Sequence, residues 1–160
     1  MLSIPSVKVF SDEFVFSIPL YQRPYAWEIE QADALLDDLL TYLGDGNEPM
    51  EDVNPYFLGS IVLIKGDKPD AEVVDGQQRL TTLTILLAAL RTLVPPEYAN
   101  NLTTYLYQKE DLIAGNPNRY RLSLREQSQD FFNKYIQDKG GIDKLKDLVD
   151  VKLPDSHAKA

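Results

Sequence analysis

The segment from Val73 to Leu83 constrains the fold of this chain more than any other. It reads Val-Val-Asp-Gly-Gln-Gln-Arg-Leu-Thr-Thr-Leu. The two valines are typical of a buried strand, and the apolar residues that follow Arg79 predict a helix. Gly76 stands between the two elements and lets another group approach the backbone closely, because it has no Cβ atom. The sequence therefore predicts a polar turn between a buried strand and a core helix.

The polar groups of this turn suit a bound anion. The first N–H groups of a helix have no intrahelical partner, and the helix dipole favours negative charge there. Arg79 adds a fork of donors that suits phosphate or carboxylate. Thr81 and Thr82 add hydroxyl groups, and Asp75 adds a carboxylate for a metal or a water. There is a purely structural alternative. Asp75 would be a helix cap, Gly76 a plain turn residue and Arg79 part of a surface ion pair.

A second polar segment follows the alternating apolar residues that begin at Phe14. That alternation predicts a strand, which Pro19 ends. The loop after it holds one arginine among aromatic and amide side chains: Tyr21, Gln22, Arg23, Tyr25 and Trp27. An arginine flanked by aromatic rings can bind phosphate while a ring stacks on a base. We interpret Trp27 as a core residue, whereas Arg23, the sole basic residue between Lys8 and Lys65, favours a binding function.

Three motifs occur in order along the chain. They are Ile-Pro-Leu-Tyr-Gln-Arg-Pro-Tyr-Ala-Trp at 18–27, Tyr-Phe-Leu-Gly-Ser-Ile-Val-Leu at 56–63, and Val-Asp-Gly-Gln-Gln-Arg-Leu-Thr-Thr-Leu at 74–83. Together they resemble the N-terminal domain of GmrSD-type, modification-dependent restriction endonucleases, and the Asp-Gly-Gln-Gln-Arg (DGQQR) motif is the most specific of the three. The resemblance covers residues 4–135. The same domain occurs in related phage-defence proteins.

That family in turn looks like the ParB/sulfiredoxin superfamily, whose Gly-x-x-Arg turn binds nucleotide phosphates. The turn corresponds to Gly76 through Arg79 in this chain. Sulfiredoxin carries a catalytic cysteine in the turn, but this chain has Gln77 there and contains no cysteine. The peroxiredoxin-repair chemistry is therefore excluded, and only phosphate binding carries over.

The resemblance implies a nucleotide-binding domain that hydrolyses a nucleoside triphosphate with Mg²⁺. It also implies that this hydrolysis controls DNA cleavage by a C-terminal nuclease domain or a nuclease partner protein. The expected nucleotide contacts are Tyr21, Gln22, Arg23, Gly76, Arg79, Thr81 and Thr82. Asp75 is expected to hold Mg²⁺ or orient a water, with phosphates completing the metal site. Gln77 or Gln78 is expected to position the attacking water; the choice between them, and the base, stay open.

Charge argues against direct DNA binding by this chain. Its 16 basic and 25 acidic residues give a net charge of −9, whereas attraction to phosphates dominates non-specific DNA affinity. Residues 119–160 carry the only basic excess, with nine basic and seven acidic residues. DNA is therefore expected to be contacted only through the full-length protein. Two other functions stay open: a non-hydrolytic nucleotide or protein-interaction switch, and modified-DNA recognition by the aromatic residues around Arg23.

Several catalytic classes are excluded by residue type. The absence of cysteine rules out disulfides, thiolate metal sites and cysteine nucleophiles. The single histidine, His157, lies in a tail without an apolar pattern, so histidine-dependent nucleases and Ser/His/Asp catalysis are not expected. Asp70 and Glu72 have the spacing of a restriction-nuclease carboxylate pair, but Val74 stands where such a site needs lysine. We therefore expect a nucleoside triphosphatase that is not a nuclease by itself.

The periodicity predicts an α+β fold with a small mixed β-sheet packed with helices. The resemblance implies that this fold is ParB/sulfiredoxin-like at the Asp75–Thr82 turn. Helices are expected at 29–43, 78–94, 97–110 and 126–138, with a small helix ending near Asp150. Strands are expected after Phe14, at 56–65, before Asp75 and at 120–124. We assign residues 4–135 to the nucleotide-binding domain and 136–160 to a C-terminal helix and frayed tail, cut from a longer chain. No signal peptide or membrane span is visible, so we expect a cytoplasmic protein without a membrane partner.

Overall fold

The computed structural model of the protein describes residues 9–46 and 57–152. The predictions for the tail that holds His157, for the start of the domain at residue 4 and for the strand start at Tyr56 lie outside these residues. The helices are α1 (Ile29–Leu43), α2 (Gln77–Leu93), α3 (Pro96–Leu106), α4 (Glu126–Phe132), a π-helical turn (Asn133–Gln137) and α5 (Gly141–Lys152). The strands are β1 (Val15–Ser17), β2 (Val62–Lys65), β3 (Asp70–Asp75), β4 (Tyr107–Gln108), β5 (Arg119–Tyr120) and β6 (Leu122–Ser123).

The main sheet has four strands in the order β2-β3-β1-β6. β1 runs parallel to both of its neighbours, with Phe16 opposite Ala71 on β3 and Leu122 on β6. β2 and β3 form an antiparallel hairpin. The strands β4 and β5 make a separate antiparallel pair. The prediction of an α+β fold with a small mixed sheet is confirmed.

Apolar residues from the sheet and from α2 meet in one core. Phe16, Val73 and Leu122 come from three adjacent strands, and Leu80 comes from the first turn of α2; each is at most 1% exposed. The first turn of α2 is therefore anchored in the core beneath the end of β3. Because β3 ends at Asp75 and α2 begins at Gln77, the polar turn between them has very little freedom to move.

Three predicted boundaries differ from the structure. The second strand begins only at Val62, because residues 59–61 leave the strand path and pack against Gly76 and Arg79. The third helix ends at Leu106, since Tyr107 pairs with Tyr120 across the β4–β5 ladder. The predicted strand at 120–124 is divided: β5 belongs to that ladder and β6 to the main sheet. Sequence periodicity cannot reveal such a change of partner sheet.

Helix α1 has the predicted bounds, but its apolar stripe is exposed. The helix begins with a capping box between Glu28 and Gln31 and ends at Gly44, which has a positive φ of 61°. None of its residues is buried, and Ile29 and Leu40 are 74% and 55% exposed. The helix is therefore held to the body mainly through the loop that precedes it.

None of the helices in the described ranges combines the length and the apolar character needed to cross a bilayer.

Candidate functional site

Gln78 joins the loop before α1 to the first turn of α2. Its side-chain oxygen accepts the backbone N–H groups of Ala26 at 2.7 Å and Trp27 at 3.2 Å. Its side-chain nitrogen donates to the carbonyl oxygen of Pro24 at 3.0 Å. Gln78 is only 6% exposed. The amide therefore replaces water for three backbone groups and fixes the path of residues 24–27 over the helix.

Gln77 and Gln22 hold the preceding part of the same loop. The side-chain nitrogen of Gln77 donates to the carbonyl oxygen of Arg23 at 3.0 Å and reaches the side-chain oxygen of Gln22 at 3.4 Å. Gln22 in turn donates to the carbonyl oxygen of Val74 at 2.7 Å, on β3. The loop is thus tied both to the helix and to the strand. The bond to Arg23 uses only its backbone, and the residue is exposed.

A small pocket lies between this loop, α2 and the start of α4. Its volume is about 90 Å³. Its polar wall consists of Arg23, Tyr25, Gln77, Gln78, Thr81, Arg125 and Ser128, and its apolar wall of Ile18, Pro24 and Leu124. Both glutamines and Thr81 are less than 10% exposed. The pocket therefore brings together Arg23 and three of the residues predicted at the strand-to-helix turn.

Two arginines and no carboxylate line this pocket. Arg125, which the sequence analysis did not single out, donates from one Nη to the carbonyl oxygen of Gln22 at 2.9 Å. That bond holds the guanidinium against the loop and leaves its other donors for a ligand. The basic excess in residues 119–160 was a signal for Arg125, but that region also contains Arg119 and Arg121, which pair with Asp70 and Asp12. The sequence alone could not distinguish Arg125 from these two paired arginines.

Gly76 and Arg79 lie against a different segment. Gly76 caps α2 with a φ of 89°, and a Cβ at this position would lie 3.0–3.2 Å from Ser60 and Ile61. The Arg79 guanidinium lies over Gly59, where an added Cβ would come within 2.6 Å of it. One Nη of Arg79 also donates to the carbonyl oxygen of Ser60 at 3.3 Å. Gly59, with a φ of 92°, and Gly76 both have backbone conformations that favour glycine, and they let residues 59–61 cover the turn.

The structure does not bring Arg79 into the pocket that Arg23 lines. Residues two positions apart on a helix point roughly 160° away from each other around its axis. Gln77 and Thr81 face the pocket, so Arg79, between them in sequence, points to the opposite side. Asp75, Gly76 and Arg79 do share one strand-to-helix junction, as expected. The expected phosphate contact of Arg79 stays a prediction.

The other expected contacts take part in hydrogen bonds near the pocket. Tyr25 and Thr82 share a hydrogen bond of 2.9 Å between their hydroxyl groups, and the Thr82 hydroxyl also donates to the Gln78 carbonyl oxygen. Tyr21 donates to the Glu72 carboxylate at 2.8 Å, and this bond raises the pKa of Tyr21. Tyr25 lines the pocket, whereas Tyr21 and Thr82 do not. Both pairs fasten the loop to its neighbours.

Asp75 is exposed at the end of β3. In residues 9–46 and 57–152, no group of three or more His, Cys, Asp or Glu side chains could hold a metal ion. A lone carboxylate can still fit Mg²⁺, because this ion keeps several waters and commonly takes its remaining ligands from substrate phosphates. The described residues therefore fit a metal that arrives with a nucleotide better than a resident metal site.

The chain matches a known protein family over most of its length. The model of the GmrSD restriction endonuclease N-terminal domain matches residues 7–157, nearly the whole chain. No curated protein matches the chain. The matched range includes the loop with Arg23, the Gly-Ser-Ile segment at 59–61 and the strand-to-helix turn. The chain belongs to the family of GmrSD restriction endonuclease N-terminal domains.

Proposed function

We propose that this domain binds the phosphates of a nucleoside triphosphate in the pocket between the 19–27 loop and α2, and that it hydrolyses the nucleotide to control DNA cleavage. One observation carries the proposal: two arginines and no carboxylate line a small pocket in a chain of net charge −9. Guanidinium groups match phosphate oxygens in both charge and geometry. An isolated cationic pocket in an acidic protein suits a small anion better than a polymer.

Family membership supports a role in a restriction system. The cleavage itself would belong to a C-terminal nuclease domain of the full protein or to a nuclease partner. DNA would be contacted through that larger assembly, because the acidic surface of this domain repels a polyanion. The nucleotide state of the pocket would then license or withhold cleavage. A ParB/sulfiredoxin-like fold, in which a Gly-x-x-Arg turn binds phosphate, is part of the same proposal.

Three side chains would bind phosphate in the pocket. Arg23 would approach from the exposed rim, and Arg125 would use the donors that its bond to Gln22 leaves free. The buried hydroxyl of Thr81 would donate from the wall formed by α2. The volume of about 90 Å³ is well below the roughly 300–1,000 Å³ of pockets that hold whole small molecules. It therefore suits one phosphate group of a larger ligand.

The amide network would pre-organise this pocket. Gln77 and Gln78 bind the backbone of the loop, and Gln22 ties the loop to the carbonyl oxygen of Val74 on β3. The positions of Arg23 and Tyr25 are therefore set before a ligand arrives. Groups that are already in place lose little entropy when the ligand binds. The fixed loop supports a site that recognises one phosphate geometry, rather than a mobile loop that attracts anions by charge alone.

Hydrolysis would transfer the terminal phosphoryl group to water. The water oxygen forms a bond to phosphorus as the bridging P–O bond breaks, and the nucleoside diphosphate leaves with the bonding electrons. One proton of the water stays on the released phosphate as a hydroxyl group, and the other passes to solvent. Gln77 is better suited than Gln78 to position that water. The oxygen of Gln78 already accepts two backbone N–H groups, whereas the bonds of Gln77 use only its nitrogen.

Asp75 would hold Mg²⁺ together with phosphate oxygens and waters. The ion, when bound, would neutralise charge that develops on the phosphates. Gly76 and the first N–H groups of α2 would lie next to this carboxylate and favour the negative charge of the ligand. Arg79 lies on the other side of the turn, against Gly59 and Ser60, and its variant tests the phosphate contact separately.

The test is a screen of the nucleoside triphosphates with Mg²⁺ that records thermal stabilisation and phosphate release. The wild-type domain is expected to be stabilised and to release phosphate, and the double variant Arg23→Ala, Arg125→Ala is expected to lose both. Lys68→Ala removes an exposed cation from the β2–β3 turn and serves as the matched control. Stabilisation without phosphate release would indicate the non-hydrolytic switch. Equal binding by wild type and double variant would rule out this pocket.

A further inference from the structure

A larger cleft lies beside the phosphate pocket, and Leu124 contributes to the walls of both. Its volume is about 750 Å³, which falls in the roughly 300–1,000 Å³ range of pockets for small organic molecules. The start of α4 separates the two spaces: Arg125 and Ser128 line the pocket, whereas Glu126 and Gln129 line the cleft. One ligand could therefore lie across Leu124 and reach into both.

The charges of the two spaces are opposite. The cleft is lined by the carboxylates of Glu126 and Asp130. Its one cation, Arg119, already forms an ion pair with Asp70 at 2.8 Å. Phosphate would be repelled from such a wall, whereas an uncharged group that carries N–H or O–H donors would find acceptors there. The cleft therefore suits the uncharged part of a ligand whose charged part lies elsewhere.

The cleft also offers flat and amide surfaces. Tyr107 and Tyr120 form an edge-to-face pair with ring centroids 5.3 Å apart, and both rings contribute to its wall. Both tyrosines are half-buried, and aromatic rings that line a cleft can stack on nucleobases without regard to sequence. Gln129 and Asn133 add side-chain amides, which can pair with the hydrogen-bonding edge of a base.

Two lining side chains carry polar atoms without a partner. Four buried side-chain nitrogen or oxygen atoms lack a hydrogen bond within the described ranges, and they include Nε of Arg119 and Oε1 of Gln129. An unpaired donor and an unpaired acceptor are costly to bury. Both belong to residues of this cleft, but the atoms themselves are buried, so a ligand would reach them only after the side chains of Arg119 and Gln129 turn.

We propose that the cleft between the β4–β5 pair and α4 binds the base of the nucleotide and selects among bases, while the neighbouring pocket holds its phosphates. The proposal rests on the proposed function for the identity of the ligand. Its own evidence is the volume of the cleft, its acidic and amide lining, its tyrosine pair and the wall that it shares with the pocket. Base selection would then depend on residues between 107 and 133, well beyond the DGQQR motif that ends at Arg79.

The test separates the two halves of the ligand. Uncharged nucleosides of the four bases probe the cleft, and inorganic tripolyphosphate probes the pocket, each titrated into the protein by calorimetry or NMR. We expect one nucleoside to bind preferentially at millimolar concentration. Tyr107→Leu and Gln129→Met should each weaken that binding by about 3- to 10-fold, the effect of one lost stacking or neutral hydrogen-bonding contact. Tripolyphosphate binding should change by less than about twofold in both.

Arg125→Ala is the reciprocal control, because it should weaken tripolyphosphate and leave nucleoside binding intact. Circular dichroism checks that each variant is folded, and using two cleft variants guards against one that is not. If no nucleoside binds, or if neither cleft variant changes nucleoside binding, the base site is wrong even when tripolyphosphate binds. If nucleosides bind in the cleft but tripolyphosphate does not bind, the proposed phosphate site is wrong and the proposed base site is supported.

Discussion

Gln78 accepts the backbone N–H of Ala26 at 2.7 Å, across 52 residues of sequence. The pair joins the second residue of α2 to the loop that carries Arg23. The sequence predicts a catalytic function for this glutamine, but its side chain also holds the loop in place. The consequence is that changes at Gln78 affect stability and ligand binding together, whereas changes at the arginines affect binding first.

The first prediction concerns the stability that Gln78 provides. Gln78→Ala removes three hydrogen bonds to the backbone of residues 24–27. The loss of a part-buried polar partner costs about 1–3 kcal/mol, so we expect the free energy of unfolding in urea to fall by that amount. Gln127→Ala, on the exposed side of α4, should change it by less than about 0.5 kcal/mol. Equal effects in the two variants would contradict the role of Gln78.

The second prediction ranks three arginines by their effect on phosphate binding. Arg23→Ala and Arg125→Ala should each weaken tripolyphosphate binding by about 10- to 100-fold, since hydrogen bonds to charged groups contribute roughly 1.5–3 kcal/mol. Arg79→Ala should weaken it less, because its guanidinium lies over Gly59 and donates to Ser60. Calorimetric titration of the three variants decides the order. A larger loss in Arg79→Ala than in Arg23→Ala would move the phosphate site to the other side of α2.

The third prediction is a dependence of stability on alkaline pH. Burial, followed by its hydrogen bond to Asp138 at 2.6 Å, raises the pKa of Tyr120 from 10.0 to about 12. The folded state therefore resists ionisation of this phenol. Its contribution to stability is complete below pH 10 and is lost as pH rises from 10 towards 12. We expect wild type to exceed Tyr120→Phe in melting temperature at pH 8, with the difference shrinking as the pH rises through that range.

Tyr98→Phe supplies the matched control for the alkaline series. Tyr98 is 60% exposed on α3, so its removal should leave the pH profile of the melting temperature parallel to that of wild type. A constant difference between wild type and Tyr120→Phe at every pH would show that burial of the Tyr120 hydroxyl has no energetic weight.

The fourth prediction is that this chain alone does not cleave DNA. The described residues hold no cluster of three metal-binding side chains, and hydrolytic nucleases need such a cluster or a histidine base. Modified and unmodified plasmids, incubated with the protein, Mg²⁺ or Mn²⁺ and each nucleoside triphosphate, should remain supercoiled. Nicking by wild type that disappears in Asp75→Ala would place a nuclease centre in this domain and overturn the prediction.

Much of the fold could be predicted because its signals are local. Helix α1 ends at Gly44 and α2 begins one residue before the predicted start, since apolar periodicity and caps mark both. The π-helical turn at Asn133–Gln137 has no such signal, and it lies inside a predicted helix. The division of residues 119–123 between two ladders depends on partners far away in sequence. Such long-range pairings leave no trace in local periodicity.

The candidate site could be predicted only in part, for a similar reason. Arg23, Gln77 and Thr81 stood out because they lie in two unusual polar turns, and the structure brings them to one pocket. Arg125 comes from a third segment whose sequence reads as the start of an ordinary helix. Arg79 has the residue type of a phosphate ligand, yet helix geometry turns it towards Gly59. The residue types indicated the chemistry of the site, but only the fold could show where each side chain points.

The exposed stripe of α1 has a consequence for how the domain opens. A helix with no buried residue gains little from packing, so its unfolding costs less free energy than that of β1 or α2, whose residues form the core. Opening of α1 pulls directly on Ala26 and Trp27, the two backbone groups that Gln78 holds. The backbone amides of α1 are therefore expected to exchange with solvent before the sheet does, and a surface that covers the stripe would tighten the loop of Arg23 from a distance.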